Sequence, residues 1–236
     1  EEVRLTVAGP DGVETGERAG FVIFIKNTGS VTLSDVELNV TYPEHAVVLA
    51  PTGEPKGVTR EKVLFERILA GEEVKYDFSA KFLGKTGDEE KLTALIIYRP
   101  ENIQSRLTKK AEFTTRIIRS PFVITFTSPE EVSQNQRLEL SFQVNSEAKS
   151  IIPGAYFRVD YPDGFDFESA NPAPSSENNI WSLGDLAGGD AKKIVIRGTV
   201  RGQPEEIKSF NAVLGQYDPS TKVWLVFLEE AKGPKI

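Results

Sequence analysis

The chain has 236 residues with 28 basic and 35 acidic side chains, a net charge of −7, 39% hydrophobic residues and no cysteine. This balance is that of a globular protein long enough for two ordinary domains. The lack of cysteine excludes disulfides, thiolate metal sites and cysteine nucleophiles. Charges of both signs are spread over both halves, so no Lys/Arg stripe offers a phosphate-neutralising surface for nucleic acid.

Short runs of alternating or β-branched residues, separated by turn signals, predict strands throughout. In the first half they fall at residues 3–8, 19–26, 35–42, 46–49, 62–67, 73–83, 91–98 and 107–118. In the second they fall at 122–127, 137–145, 155–161, 165–168, 179–183, 192–200, 207–216 and 222–228. No segment sustains helical apolar spacing beyond a turn or two. The two halves are also copies of one another at an offset of 119 residues (Val132 against Val13). Arg18 falls on Arg137, Val40 on Val159, Tyr42-Pro43 on Tyr161-Pro162, and Tyr98-Arg99-Pro100 on Tyr217-Asp218-Pro219. Leu69-Ala70-Gly71 matches Leu186-Ala187-Gly188 at a slightly smaller offset. The duplication also orients one strand. Phe21–Ile25 is apolar throughout, but its partner Leu140-Ser141-Phe142-Gln143-Val144 alternates. Phe21, Ile23 and Ile25 are therefore the predicted core face, with Val22 and Phe24 on the other.

These patterns predict an all-β chain of two tandem immunoglobulin-like sandwiches, residues 1–119 and 120–236, with seven to eight antiparallel strands each. An eight-stranded jelly roll is the structural alternative. The junction Ile117-Ile118-Arg119-Ser120-Pro121-Phe122 has no Gly/Ser-rich or Pro-rich spacer, which predicts an end-to-end arrangement with restricted bending. Ala231–Ile236 reads as the start of a linker. The longest apolar run, Phe21–Ile25, is far short of a membrane helix. Glu1-Glu2 at the start and the absence of methionine mark the chain as a fragment or processed form.

Asn27-Thr28-Gly29-Ser30-Val31, the alternating Val36, Leu38 and Val40, and then Tyr42-Pro43-Glu44 resemble the conserved repeat called domain of unknown function 11. Those repeats occur in prokaryotic surface proteins and are related to the CARDB adhesion-type modules. Tyr161-Pro162-Asp163-Gly164-Phe165 and Trp181–Gly189 fit the same pattern in the second copy, whereas Ser146-Glu147-Ala148 departs from its Asn-x-Gly turn. The resemblance implies a prokaryotic, extracellular or cell-surface, multi-repeat protein without enzymatic activity. Its expected partners are neighbouring domains of the same chain and other surface proteins or glycans, with membrane attachment only through an anchor outside this fragment. The motif residues themselves are punctuation: Asn and Gly suit a tight turn, and Pro stops the ladder after each Tyr.

Catalytic and cofactor-binding residues are accordingly read as none. His45 is the only histidine and is read as an exposed turn residue. No nucleophile elbow, phosphate loop or His-Glu-x-x-His is present. No metal ligand is assigned, although Asp160, Asp163, Asp166 and Glu168 around Gly164 form the best acidic cluster for Ca²⁺. Asp88-Glu89-Glu90 and Glu205-Glu206 are read as solvated turns in equivalent loops. Lys26 is the one lysine considered for an isopeptide cross-link, and Asn39-Val40-Thr41 is a formal glycosylation sequon on a strand. Trp181, Trp224, Tyr156 and Tyr217 are read as core aromatics, with a sugar-binding platform as the alternative. Loops Glu101–Lys110 and Ala50–Arg60 are the places to look for a partner of the first copy. The functional expectation is a structural or adhesive spacer. The alternative is a carbohydrate- or protein-binding module attached to an enzyme.

Overall fold

The computed structural model describes residues 3–236. The chain divides into two compact units, Glu1–Leu83 with Gly87–Ile118, and Arg119–Ile236 with Gly84–Thr86. Each is a β-sandwich.

In chain order the first unit contains β1 (Val3–Ala8), β2 (Gly12–Glu14), β3 (Arg18–Asn27), β4 (Leu33–Thr41), β5 (Ala46–Leu49), β6 (Arg60–Ile68), β7 (Glu73–Phe82), β8 (Glu89–Pro100) and β9 (Leu107–Arg119). One sheet has the order β1-β3-β7-β5 and the other β2-β9-β8-β4-β6. The second unit contains β10 (Phe122–Thr127), β11 (Gln136–Ser146), β12 (Ile152–Asp160), β13 (Phe165–Asn171), β14 (Ile180–Leu186), β15 (Ala191–Val200), β16 (Phe210–Asp218) and β17 (Val223–Lys232). Its sheets are β10-β11-β15-β13 and β14-β12-β16-β17. With the first, second, penultimate-pair and last strands lettered in the usual way, each unit has an ABED sheet facing a CFG sheet, the immunoglobulin-like arrangement. The jelly-roll alternative is not what forms. One feature is local to these repeats: after β4 the chain crosses to lie beside β7 and then returns to pair with β4 through β6.

The alternation along each strand explains the layers. Phe21, Ile23 and Ile25 are buried, as the duplication predicted, and meet Leu38, Ile68, Ile96 and Ile117 from the facing sheet. Val22 and Phe24 lie half-buried on the outer face. In the second unit Phe142, Phe157, Trp181, Phe210 and Phe227 fill the interior. Full burial of such side chains contributes about 1.5–3 kcal/mol each. The sequence missed β2, whose three residues are too few to show a period; it joins the edge of β9.

Candidate functional site

Three of the four aromatics read as core lie elsewhere. Trp181 is interior, at 1% exposure. Tyr156, Tyr217 and Trp224 instead stand half-buried on the outer face of the β14-β12-β16-β17 sheet. Register places Tyr156 opposite Gly215 and Tyr217 opposite Trp224, so the three come from adjacent strands. The Tyr217 and Trp224 rings stack with centroids 4.8 Å apart, and Tyr156 meets Tyr217 edge-on at 5.6 Å. Arg158 lays its guanidinium 4.9 Å over the Trp224 ring, a cation–π contact. It also donates to Asp160 at 3.0 Å. The Trp224 ring is thus engaged by both Tyr217 and Arg158. Each of the three aromatic residues keeps part of its surface exposed.

The turn beyond this hairpin is fixed by Asp218. Its carboxylate accepts from the Ser220 N–H (2.8 Å), the Ser220 hydroxyl (2.6 Å) and the Thr221 hydroxyl (2.9 Å). These bonds favour the charged form and pull its pKa down to about 2. An open groove lined by Tyr156, Gln216, Tyr217, Asp218 and Thr221 runs beside it.

Among the described residues the first unit has no such ladder. Glu37 stands where the offset places Tyr156, and Leu107 is paired with Tyr98 as Trp224 is with Tyr217. Tyr98 itself points into the core at 6% exposure. The equivalence of Tyr98 and Tyr217 in sequence therefore hides a reversal of face. Ile96 lies opposite Leu38, whereas Leu214 lies opposite Phe157, the counterpart of Leu38; the true offset along this strand is 118 (214 less 96). A slip of one residue moves a side chain to the opposite face of a sheet.

The corrected offset also pairs Glu90 with Lys208. Glu90 belongs to a segment read as a solvated turn and Lys208 to the start of a predicted strand, yet each is 4% exposed. Glu90 faces His45 Nδ1 at 3.2 Å. Lys208 donates to the Asp163 carbonyl at 2.8 Å and to Glu206 at 2.6 Å. His45 and Gly164 hold equivalent turn positions, since their carbonyls accept from Leu83 N–H and Arg201 N–H respectively. Gly164 has φ +83°, and a Cβ there would sit 2.3 Å from the Arg201 carbonyl oxygen. Thus each copy fastens the turn after its Tyr-Pro to the opposite sheet with one buried charge. Burial pushes the Glu90 pKa up, with the His45 contact opposing it. A carboxyl with a raised folded pKa binds its proton more tightly in the native state. Its stabilising contribution is present below the ordinary glutamate range and is lost as pH rises through the folded value. Glu90→Gln is therefore expected to raise the thermal midpoint at neutral pH and to flatten its fall with rising pH, read by scanning calorimetry. An unchanged pH profile would show that Glu90 is not the group responsible.

The acidic cluster does not converge. Asp160 is on β12, bound by Arg158 and by Asn211, whereas Asp166 and Glu168 are on β13 in the other sheet. Asp166 is held by Arg201 at 2.6 Å, and Glu168 by Arg137 at 2.6 Å and the Thr199 hydroxyl at 2.9 Å. Asp163 contributes its backbone carbonyl to Lys208. Among the described residues no group of three or more His, Asp or Glu side chains is arranged to hold a metal ion. Lys26 stands in register between Arg4 and Glu73, and Asn39 donates to Glu37 at 2.9 Å on the central strand β4.

No protein-family model and no curated protein matches the chain. Among solved structures it is similar to red sea bream transglutaminase, at 10% identity and a TM-score of 0.45, over 100% of this chain and 32% of that one. It is also similar to the native conformation of Escherichia coli alpha-2-macroglobulin, at 9% identity and a TM-score of 0.37, over 99% of this chain and 17% of that one. The chain thus spans less than a third of the length of the first of these proteins and about a sixth of the second.

Proposed function

We propose that the chain is a non-catalytic structural and adhesive repeat segment of a larger extracellular or cell-surface protein, contacting other proteins through the outer face of the second sandwich. The observation behind this reading is the Tyr156–Tyr217–Trp224–Arg158 ladder. Two folded copies of one repeat differ here, so the fold does not require it. Tyr, Trp and Arg are the side chains that dominate protein contact energies, because they present large rigid area with a polar tip. A flat sugar stacks on an open aromatic face, and one stacking on Trp224 would compete with the contacts that Tyr217 and Arg158 already make to its ring. That favours the protein-contact reading over the carbohydrate platform.

The test is to probe an array of extracellular proteins and an array of oligosaccharides with the labelled chain and with its Tyr217→Ala/Trp224→Ala variant. Binding to proteins that falls by about tenfold or more in the variant supports the reading. Loss confined to oligosaccharides would favour the accessory-module alternative. Equal signals from both chains would leave a spacer without a contact face there.

A further inference from the structure

The β1-β3-β7-β5 sheet is closed on one side only in part. β5 is four residues long and pairs with Ser79–Phe82, so that among the described residues no strand pairs with Glu73–Phe78 of β7 on the side away from β3. The direction of the backbone groups follows from the bonds at either end. The Glu72 carbonyl accepts from Asn27 N–H on the β3 side, and Leu83 N–H donates to His45 on the β5 side. Backbone groups alternate along a strand, so those of Glu73, Lys75 and Asp77 point outward from the open edge. A groove of about 640 Å³ reaches this edge from the adjoining sheet surface, lined by Arg18, Gly20 and Val22 of β3 and by Pro51, Tyr76 and Asp77. Unpaired N–H and C=O groups of this kind are a template for one occupant, another strand.

We propose that this edge is a self-association surface, on which two copies of the chain pair β7 to β7, antiparallel, about a two-fold axis at Tyr76. The charges select that register. Directly opposed residues must share a face, so the axis falls on a residue. An axis at Lys75 sets Lys75 against its own copy and Glu73 against Asp77, which is repulsive at every charged position. An axis at Tyr76 sets Lys75 against Asp77 twice, Val74 against Phe78 twice, and Tyr76 against its copy. An axis further along would drive the partner into β5, and an earlier one would pair fewer residues.

Lys75 and Asp77 already pair with each other within the chain at 3.4 Å, but at 65% and 57% exposure such a pair is weak, so exchanging it for the same pairing across the axis costs little. The second sandwich lacks this edge. There β13 covers β15 as far as Val195, the counterpart of Asp77, and the remaining stretch carries Lys192-Lys193, which repels its own copy. Five paired residues make a small interface, so the association is weak and concentration-dependent.

Sedimentation velocity over a concentration series tests this on the whole chain. The weight-average mass is expected to climb from monomer towards dimer. Lys75→Asp and Asp77→Lys, each checked for native circular dichroism, should weaken association by about tenfold or more, since each turns two attractive pairs repulsive. An equimolar mixture of the two variants should associate again, because every Asp then faces a Lys. A monomer at every concentration, an association indifferent to either reversal, or a mixture that stays monomeric would overturn the proposal.

Discussion

Asn27→Ala is expected to destabilise the first sandwich by about 2–3 kcal/mol, counting about 1 kcal/mol for each of three hydrogen bonds, one buried and two partly buried. The side chain of Asn27 is fully buried, at 0% exposure. Its amide donates to the Val31 carbonyl at 2.8 Å and the Ile68 carbonyl at 3.1 Å, while its oxygen accepts from Gly29 N–H at 3.1 Å. Truncation leaves the Ile68 carbonyl without this partner in a buried place, which is the costly way to lose a hydrogen bond, whereas the Val31 carbonyl and Gly29 N–H are partly open to water. Asn27→Asp should be worse than alanine, because it turns a carboxylate oxygen towards two carbonyl oxygens. The second copy provides the control. Ser146 occupies the same position and makes one long bond, accepting from Ala148 N–H at 3.3 Å. Ser146→Ala should therefore cost about 1 kcal/mol or less. Urea denaturation followed by far-ultraviolet circular dichroism measures both. Equal losses at the two positions would mean that the turn backbone, not the Asn27 side chain, holds the strand ends.

The two tryptophans should separate just as sharply. Trp181→Ala is expected to cost about 3–5 kcal/mol, the usual range for emptying a large aromatic site in a core. At 1% exposure it packs beside Phe157, with ring centroids 6.2 Å apart, and its indole N–H donates to the Pro172 carbonyl at 2.9 Å. Trp181→Phe keeps much of the volume and loses that bond, so a smaller loss of about 1–3 kcal/mol follows. Trp224→Ala removes only the ladder contacts on an outer face, worth about 0.5–1.5 kcal/mol for the aromatic pair. The same denaturation series ranks the three variants. A Trp224→Ala loss as large as that of Trp181→Ala would make the ladder part of the fold rather than a contact surface, and would remove the support for the proposed function.

The sequence by itself determined the fold class, the duplication and most strands. β5 and β10 fall at the predicted residues, and the core face Phe21, Ile23 and Ile25 was set by comparison with Leu140, Phe142 and Val144. Strand period and turn chemistry are local properties, and a duplicated chain states them twice. The tertiary structure decided which face each side chain of β16 occupies, because a one-residue slip in pairing leaves the sequence match of Tyr98 with Tyr217 intact while reversing its meaning. It also decided that Glu90 and Lys208 are buried. Their partners His45 and Asp163 lie 45 residues away along the chain in each case, and a charge in an acidic or polar loop carries no local mark of the turn that closes over it. The open edge of β7 was likewise invisible, since it depends on where β5 stops alongside a strand 30 residues downstream. Periodicity is written in the order of residues, whereas facing, burial and edges are properties of who lies opposite whom.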